Sequence, residues 1–541
     1  MAKITVDGSE IEVEEGRTIL EALDDAGLLM NGIDIPHYCW HPKLTVDGSC
    51  RLCQVEVEGI PKLQIACDTP VRDGMVVATA NERVKLAREG VMELLLINHP
   101  LDCPICDQAG ECKLQDYSYE YGVDASRTKE PRRALKKRVE LGPTIMFDQE
   151  RCILCRRCVR FCREIPKTGE LSVFNRGDRS VIETFPGDQL DNDYSMNVAD
   201  ICPVGALTTK DFRFKIRVWF LEDVPGICTG CSAGCNVHLG VANNKVYRYQ
   251  PRRNDDVNDT WICDKGRMSY REIGSADRLD RCGVRADSGR FETTSLATAV
   301  ETTAARLGKL IESKGAGVIA GIASAHATTE DLFTFHRFLS ALGSETHGVA
   351  IIRGDSDGIL IREEKAPNAA GARAIGFADA RSVVDRIASG GVDAVVMLGH
   401  DALHESLLGG VELLSGLDTV IVLDTHVSKL QHVAHVMFPV RHAAEKHGTL
   451  VNADGRAQRV QPAVEPAWEA YSDGEVLAQI GAAMGLDGFD GRFGVREVSR
   501  ELAAANPAFA GIDLDSVGDG GLVITALAAG GAEAEQGGEP T

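Results

Sequence analysis

Two short stretches at the start of the chain alternate apolar and polar residues, ITV at 4–6 and IEV at 11–13, about an Asp7-Gly8 step. Period-two alternation on either side of Asp-Gly predicts a β-hairpin. Thr18 is placed to cap a helix running to about Ala26, and Gly27 to end it. Strand, turn, strand and helix predict a small β-grasp over residues 1–78. The next segment, 79–125, opens with the helical spacing of ERVKLAREGVMELLLINHP, which stops at Pro100. From about residue 290 the pattern changes to apolar runs, AGVIAGI (316–322), VDAVVMLG (392–399) and DTVIVLDT (418–425), with helix-like segments such as TTEDLFTFHRFLSALG between them. That alternation predicts an α/β domain on a mostly parallel sheet over 278–520. The Gly/Ala/Glu-rich end, 521–541, reads as a disordered tail. The expected fold class is multidomain, α+β in the first half and α/β in the second. No short-period internal repeat is visible.

Composition sharpens this picture. A chain of 541 residues predicts about three to four domains. Hydrophobic residues at 44% and charged residues at 26% exclude a disordered or fibrous protein. Lys+Arg number 58 against 80 Asp+Glu, a formal charge of −22, which is the wrong sign for a nucleic-acid binder. The polar, acidic start is not that of a secretory signal, and no apolar run reaches the length of a membrane-spanning helix. Residues 127–140, RTKEPRRALKKRVE, are strongly basic and read as a linker or solvated face, with docking on an acidic neighbour as the alternative.

Cysteine changes the picture most. There are 17, all between Cys39 and Cys282. A disulfide framework does not suit a long chain without an export signal, so clustered cysteine points to metal. The first group, Cys39, Cys50, Cys53 and Cys67, offers four thiolates inside the β-grasp, suited to a [2Fe–2S] cluster, with a longer first gap than the plant-ferredoxin run. The second, in 79–125, has only Cys103, Cys106 and Cys112. His99, at the end of the helix that enters this loop, stands at the right distance to be the fourth ligand of a [4Fe–4S] cluster. An imidazole in place of a thiolate makes a cluster less negative and raises its potential. The third, in 141–220, begins C-x2-C-x2-C-x3-C at Cys152, Cys155, Cys158 and Cys162. In two-cluster ferredoxins the fourth cysteine of such a run serves the other cluster. Counting back from Cys202-Pro203, the partner run meets Asn192, Ser195 and Val198, so that second cluster has lost three ligands. One [4Fe–4S] cluster on Cys152, Cys155, Cys158 and Cys202 is expected, with Cys162 left as a buried thiol. Five arginines, 151, 156, 157, 160 and 163, crowd this segment. They either favour a reduced cluster or face water. The fourth group, Cys228, Cys231, Cys235 and Cys263 in 221–277, supplies four more thiolates for a third [4Fe–4S] cluster, and Cys282 is left as structural. Zinc accepts the same ligands and is the alternative at each group taken singly.

With these groups in this order, the chain resembles the family of large iron–sulfur subunits of NADH-quinone oxidoreductase, respiratory complex I. The likeness rests on HYCWHPKLTVDGSCRLC, HPLDCPICDQAGEC, RCILCRRCVRFC with ADICPVGALT, and CTGCSAGC…CDKGR. It covers residues 1 to about 277. The remainder is similar, more weakly, to the molybdopterin oxidoreductase fold, through EKHGTLVNADGRAQ at 445–458. The region is about half the size of a working molybdenum domain and has no cysteine beyond 282, so a degenerate domain without molybdopterin is expected. Lys265 matches a lysine that lies between cluster and pterin in active members, and here reads as a remnant.

The resemblance implies an electron relay in the peripheral arm of complex I, with one [2Fe–2S] and three [4Fe–4S] clusters and no catalytic residue. Electrons would come from NADH through a flavin on a neighbouring subunit and leave toward quinone. The implied partners are the NADH/flavin-binding subunit, a small [2Fe–2S] subunit, and ferredoxin-like and quinone-site subunits. No nucleic acid is expected, and membrane association only through the complex, on the cytoplasmic face of the inner membrane. The first two groups are expected nearest the flavin subunit, the fourth off the main path. The alternatives are an iron–sulfur subunit of a soluble NAD-linked formate dehydrogenase or hydrogenase, and a zinc-stabilised scaffold without redox function.

Overall fold

The computed structural model describes residues 1–525 and 527, apart from 30, 287 and 405. These fall into two compact units, 1–221 and the described residues from 222 on.

In the first unit, strands β1 (Ala2–Val6) and β2 (Ser9–Val13) pair antiparallel about Asp7-Gly8, both at positive φ. Helix α1 (Ile19–Asp25) follows, and Thr18 and Glu21 close its N-terminus as a capping box. Strands β3 (Gln54–Val57), β4 (Gln64–Ile65) and β5 (Val76–Ala78) complete a mixed sheet of order β2-β1-β5-β3-β4, with β1 and β5 parallel. Helix α2 (Glu82–Leu96) ends before Pro100, as its sequence requires, and α3 (Lys113–Tyr121) packs beside it. Tyr38 donates to Met92 Sδ at 3.4 Å, and buried Arg88 reaches both Gln54 O and Tyr121 Oη. The sheet and the two helices therefore share one interior. Strands β6 (Val139–Glu140) and β7 (Ile145–Phe147), helix α4 (Arg157–Glu164), hairpin β8 (Leu171–Phe174) and β9 (Val181–Thr184), short helix α5 (Asn197–Asp200) and strand β10 (Leu207–Thr209) complete the unit. The basic stretch 127–140 is mostly exposed, with Arg127 on Glu93 and Lys137 on Asp102 and Glu150.

The second unit starts with an antiparallel sheet of β11 (Glu222–Ile227), β12 (Asn236–Ala242) and β13 (Lys245–Pro251), followed by α6 (Asp264–Met268). Strands β14 (Gly283–Arg285) and β15 (Phe291–Thr293) lead into α7 (Leu296–Lys314), β16 (Ile319–Ser324), α8 (Thr329–Leu342), β17 (Thr346–Ala350), α9 (Ala369–Ile375), β18 (Ala378–Asp379), α10 (Arg381–Ala388), β19 (Ala394–Leu398), β20 (Thr419–Asp424) and β21 (Val436–Pro439). These strands form one eight-stranded sheet of order β15-β14-β21-β20-β19-β16-β17-β18, parallel from β21 to β18. Successive residues of its central strands enter different cores. Ala394, Val396 and Leu398 pack with residues of α7, α8 and the later helix Asp473–Ala483, while Val395 and Met397 pack with Val383 and Ile387 of α10. A sheet covered on both faces needs such continuous apolar runs. Strands β22 (Gly448–Val451) and β23 (Arg456–Val460) and helices α11 (Asp473–Ala483) and α12 (Val495–Ala505) follow. Leu522–Val523 forms β24 against β23, and Ile524 is buried in the core. The expected tail therefore does not begin at 521. The rest of that expectation, from 528, lies outside the described residues. No described helix is long and apolar enough to cross a membrane.

The run 445–458 works as structural glue within this unit. Glu445 pairs with buried Arg278 at 2.7 Å, and the Lys446 ammonium lies between Asp331 (2.7 Å) and Asp473 (2.9 Å), all three nearly inaccessible. Thr449 meets Glu330, whose carboxyl burial pushes up to about 7. Lys446→Met leaves two buried carboxylates without a counter-charge, at about 3–5 kcal/mol. Thermal unfolding followed in the second unit should shift down by many degrees, whereas Lys314→Met, which removes only exposed, salt-screened pairs, should leave it nearly unchanged.

Candidate metal centres

The first group converges below the sheet of the first unit. Cys39, Cys53 and Cys67 are buried and Cys50 partly so. The Cys39 and Cys50 sulfurs stand 3.4 Å apart. The Cys50 side chain, helped by the backbone amides of Cys50 and Ser49, holds Cys39 down to about 5, while Cys50 is driven up as the proton-bearing partner. Cys53 and Cys67 form a second such pair, and Cys67 feels all three other thiols. The turn that aims these amides has Gly48 and Arg51 at positive φ.

In the second group, Cys106 and Cys112 are buried and Cys103 exposed, and the three influence one another. Cys112 stands at the N-terminus of α3, where the amides of Leu114 and Gln115 face its sulfur. His99 lies beside Arg151, which also faces Cys106. Burial and that neighbouring cation hold the imidazole down to about 4 and therefore neutral, the state a metal ligand needs.

The third group surrounds a small cavity lined by Cys152, Cys155, Cys158 and Cys202 with Arg157 and apolar walls. Cys162 is not on that wall. It is fully buried, pushed up to about 12, with its carbonyl accepting from Thr168 and Gly169. Asn192, Ser195 and Val198, the positions of the expected second run, are built into the fold. Ser195 Oγ meets Thr144 Oγ1 at 2.7 Å, Asn192 caps Tyr194 N at 2.9 Å, and Val198 is fully buried. Leu154 and Arg156, both at positive φ, bend the loop so that Leu154 N points at Cys152 Sγ, 3.4 Å away.

The fourth group lies in the second unit, where Cys235 feels Cys228, Cys231 and Cys263. Cys263 caps α6 through Gly266 N at 3.3 Å. The loop is held by the 445–458 run: Asn452 donates to Ala233 O, Gln458 to Gly234 O, and Ala453 N to Ser232 O.

Glycines mark how closely backbone approaches these sulfurs. A Cβ on Gly205 would stand 2.3 Å from Cys106 Sγ, and one on Gly266 2.9 Å from Cys228 Sγ. Among the described residues, no three His, Cys, Asp or Glu side chains lie close enough to hold a single metal ion. The thiols of the third group stand around one shared space.

Two arrangements were not legible in the sequence. The first is spatial order. Arg157 donates from Nη1 to Ile201 O at 3.2 Å and from Nη2 to Trp40 O, and faces Cys155, Cys39 and Cys50. Gly205, three residues beyond Cys202, abuts Cys106. Arg157 thus ties a loop of the first group to a loop of the third, and Gly205 brings the third group's loop against the second. Of the five arginines, 151, 157 and 160 turn into the protein and only 156 and 163 face water. The second is a cavity of about 830 Å³ at the carboxyl ends of β16, β19, β20 and β21, where the chain leaves β16 and β19 in opposite directions. Thr229, Gly230 and Lys265 line it beside Ser324, His326, His400, Asp401, His426 and His442. Asp424, 3.0 Å from His400 Nδ1, raises that imidazole to about 9, while burial lowers His442 to about 3. The run LGHDALH, polar and His-rich after an apolar strand, was the available signal.

Family profiles match along the chain: a 2Fe–2S iron–sulfur cluster binding domain at 1–82, an NADH-ubiquinone oxidoreductase-G iron–sulfur binding region at 88–127, an NADH-quinone oxidoreductase subunit 3 ferredoxin-like domain at 142–208, a molybdopterin oxidoreductase Fe4S4 domain at 221–275, and molybdopterin oxidoreductase at 363–483. The chain therefore carries 2Fe–2S and 4Fe–4S binding domains. It is 41% identical over 349 residues to the G subunit of NADH-quinone oxidoreductase from Rickettsia conorii, covering 64% of this chain and 50% of that one. It is 40% identical to the mitochondrial NADH-ubiquinone oxidoreductase 78 kDa subunit of Candida albicans, over 63% of this chain and 46% of that protein. The chain spans about half the length of these curated relatives. Among solved structures, one chain of an NAD+-reducing [NiFe]-hydrogenase in the H2-reduced state is 33% identical, covering 40% of this chain and 91% of that chain, with a TM-score of 0.36.

Cys202→Ala should lower bound iron by about four per chain and abolish one [4Fe–4S] signal, while Cys162→Ala leaves both unchanged. An intact signal set in the Cys202 variant would refute the assignment. His400 gives a pH test. Its folded value lies above its unfolded one, so its stabilising effect is complete below about pH 6.5 and disappears as pH rises through about 9. The gap in melting temperature between the parent protein and His400→Gln should close over that window.

Proposed function

We propose that this relative of the NADH-quinone oxidoreductase G subunits relays electrons, one at a time, from an NADH-oxidising flavin subunit toward quinone. The observation that carries the reading is the cavity walled by Cys152, Cys155, Cys158 and Cys202, from which Cys162 is turned away. In this reading Cys39, Cys50, Cys53 and Cys67 hold a [2Fe–2S] cluster. His99, Cys103, Cys106 and Cys112, then Cys152, Cys155, Cys158 and Cys202, then Cys228, Cys231, Cys235 and Cys263, hold three [4Fe–4S] clusters. Bound clusters supply one-electron transfer, and the chain makes no covalent bond to a substrate.

What the residues contribute is position and potential. Amides from Ser49, Cys50, Leu114 and Leu154 turn toward sulfur, and such hydrogen bonds raise the potential of the group they face. Neutral His99 removes one negative charge from its site. The contacts of Arg157 and Gly205 support a relay that runs from the first group through the third to the second.

The modules in this reading are a β-grasp at 1–78, a His/Cys segment at 79–125, a ferredoxin-type domain at 141–220, a molybdopterin-oxidoreductase-type cluster domain at 221–277, and a degenerate α/β domain from 278. In that last domain the 445–458 run clamps the fourth cysteine loop, which supports a structural use of the signature and no bound molybdopterin. The partners in this reading are a flavin subunit, a small [2Fe–2S] subunit, and ferredoxin-like and quinone-site subunits, with the assembly on the cytoplasmic face of the inner membrane.

Protein purified without oxygen should contain about 14 iron and about 14 acid-labile sulfide per chain, with no molybdenum. Stoichiometric zinc without sulfide would replace the relay by a structural scaffold. Stoichiometric molybdenum would move the chain to the formate dehydrogenase reading.

A further inference from the structure

We infer that Arg157 is a positioning residue shared by the [2Fe–2S] and the neighbouring [4Fe–4S] centre, and that its single charge sets both potentials. This inference rests on the relay reading above.

Arg157 opens α4, two residues after Cys155 and one before Cys158. Its guanidinium turns away from solvent and spans two loops. Nη2 donates to the carbonyl of Trp40, the residue after Cys39, and Nη1 to that of Ile201, the residue before Cys202. One rigid plane therefore fixes a ligand-bearing loop of each group. The side chain also lines the cavity of the third group, and its charge acts on Cys155, Cys39 and Cys50 together. Nε–H is buried and donates to nothing among the described residues. Arg160, one turn on, donates to Cys39 O and Thr45 O and reinforces the first loop from the same helix.

A guanidinium stays protonated throughout the range in which proteins fold. Placed between two centres and shielded from water, it favours the reduced, more negative form of each. When one electron moves across, one centre is oxidised and the other reduced, no bond changes, and the fixed cation keeps the same neighbours. Lysine cannot span both carbonyls but keeps the charge. Glutamine keeps a donor and loses the charge. Arg163, exposed on the far side of the same helix, is the control.

The test is a redox titration of the full chain, purified without oxygen with any subunits that accompany it, followed by electron paramagnetic resonance. The two centres are separated by the temperatures at which their signals appear. In Arg157→Gln with full iron and sulfide, both midpoints should fall. The oxidised-to-reduced ratio of each at fixed potential should rise about tenfold, which is about 59 mV for a one-electron couple. Arg157→Lys should hold both within that margin, and Arg163→Gln should move neither. A loaded Gln variant in which one or both midpoints stay put overturns the inference, as does a Lys variant that falls as far as Gln. If the Gln variant does not load, the Lys variant decides, because both midpoints falling there would mean geometry alone was at work. Parent protein without iron and labile sulfide would defeat the relay reading itself, a result distinct from unmoved potentials.

Discussion

A thiolate buried away from water is costly unless something positive faces it, and the first unit is arranged around that constraint. Most of its candidate ligands are buried. Amides at bent turns and helix starts supply part of the compensation, and inward arginines supply the rest. Arg151 answers Cys106 and is itself steadied by Asp102 and Asp148; Arg157 and Arg160 answer the first and third groups. Arginine suits this task because its planar fork can hold two backbone carbonyls while its charge stays fixed. The strained residues of the cysteine loops, Arg51, Leu154 and Arg156, belong to the same solution, since positive φ turns successive amides toward one point.

The second unit solves a different problem. Its large sheet is apolar on both faces and its cysteine loop belongs to a separate small core, so polar side chains must lock the two together. The 445–458 run does this with Lys446 and Glu445 in the core and Asn452 and Gln458 on the loop. Buried ion pairs of this kind add little net stability but penalise any arrangement that separates the partners.

Much of this was legible because it is local. The Thr18 cap, the stop before Pro100 and the apolar runs of β16, β19 and β20 each depend on spacing within a few dozen residues. What stayed hidden depends on contacts far apart in sequence. Nothing near residue 157 announces that its side chain will reach Trp40, and a run of five arginines looks the same whether it faces water or sulfur. The His400–Asp424 pair needed two adjacent parallel strands to bring it together. The tail was read too early because Ile524 is one apolar residue in a Gly/Ala-rich stretch, and only the neighbouring strand gives it a place to bury.

The repacked region around Asn192, Ser195 and Val198 acts as a ratchet. Restoring cysteine at any one of these positions would break a hydrogen bond or trim a packed side chain, and would bury a thiol with nothing to bind. Each step back toward a second metal group therefore lowers stability before the last step can return anything. In a chain packed this way, single substitutions at these positions give stability away and gain no ligand in return.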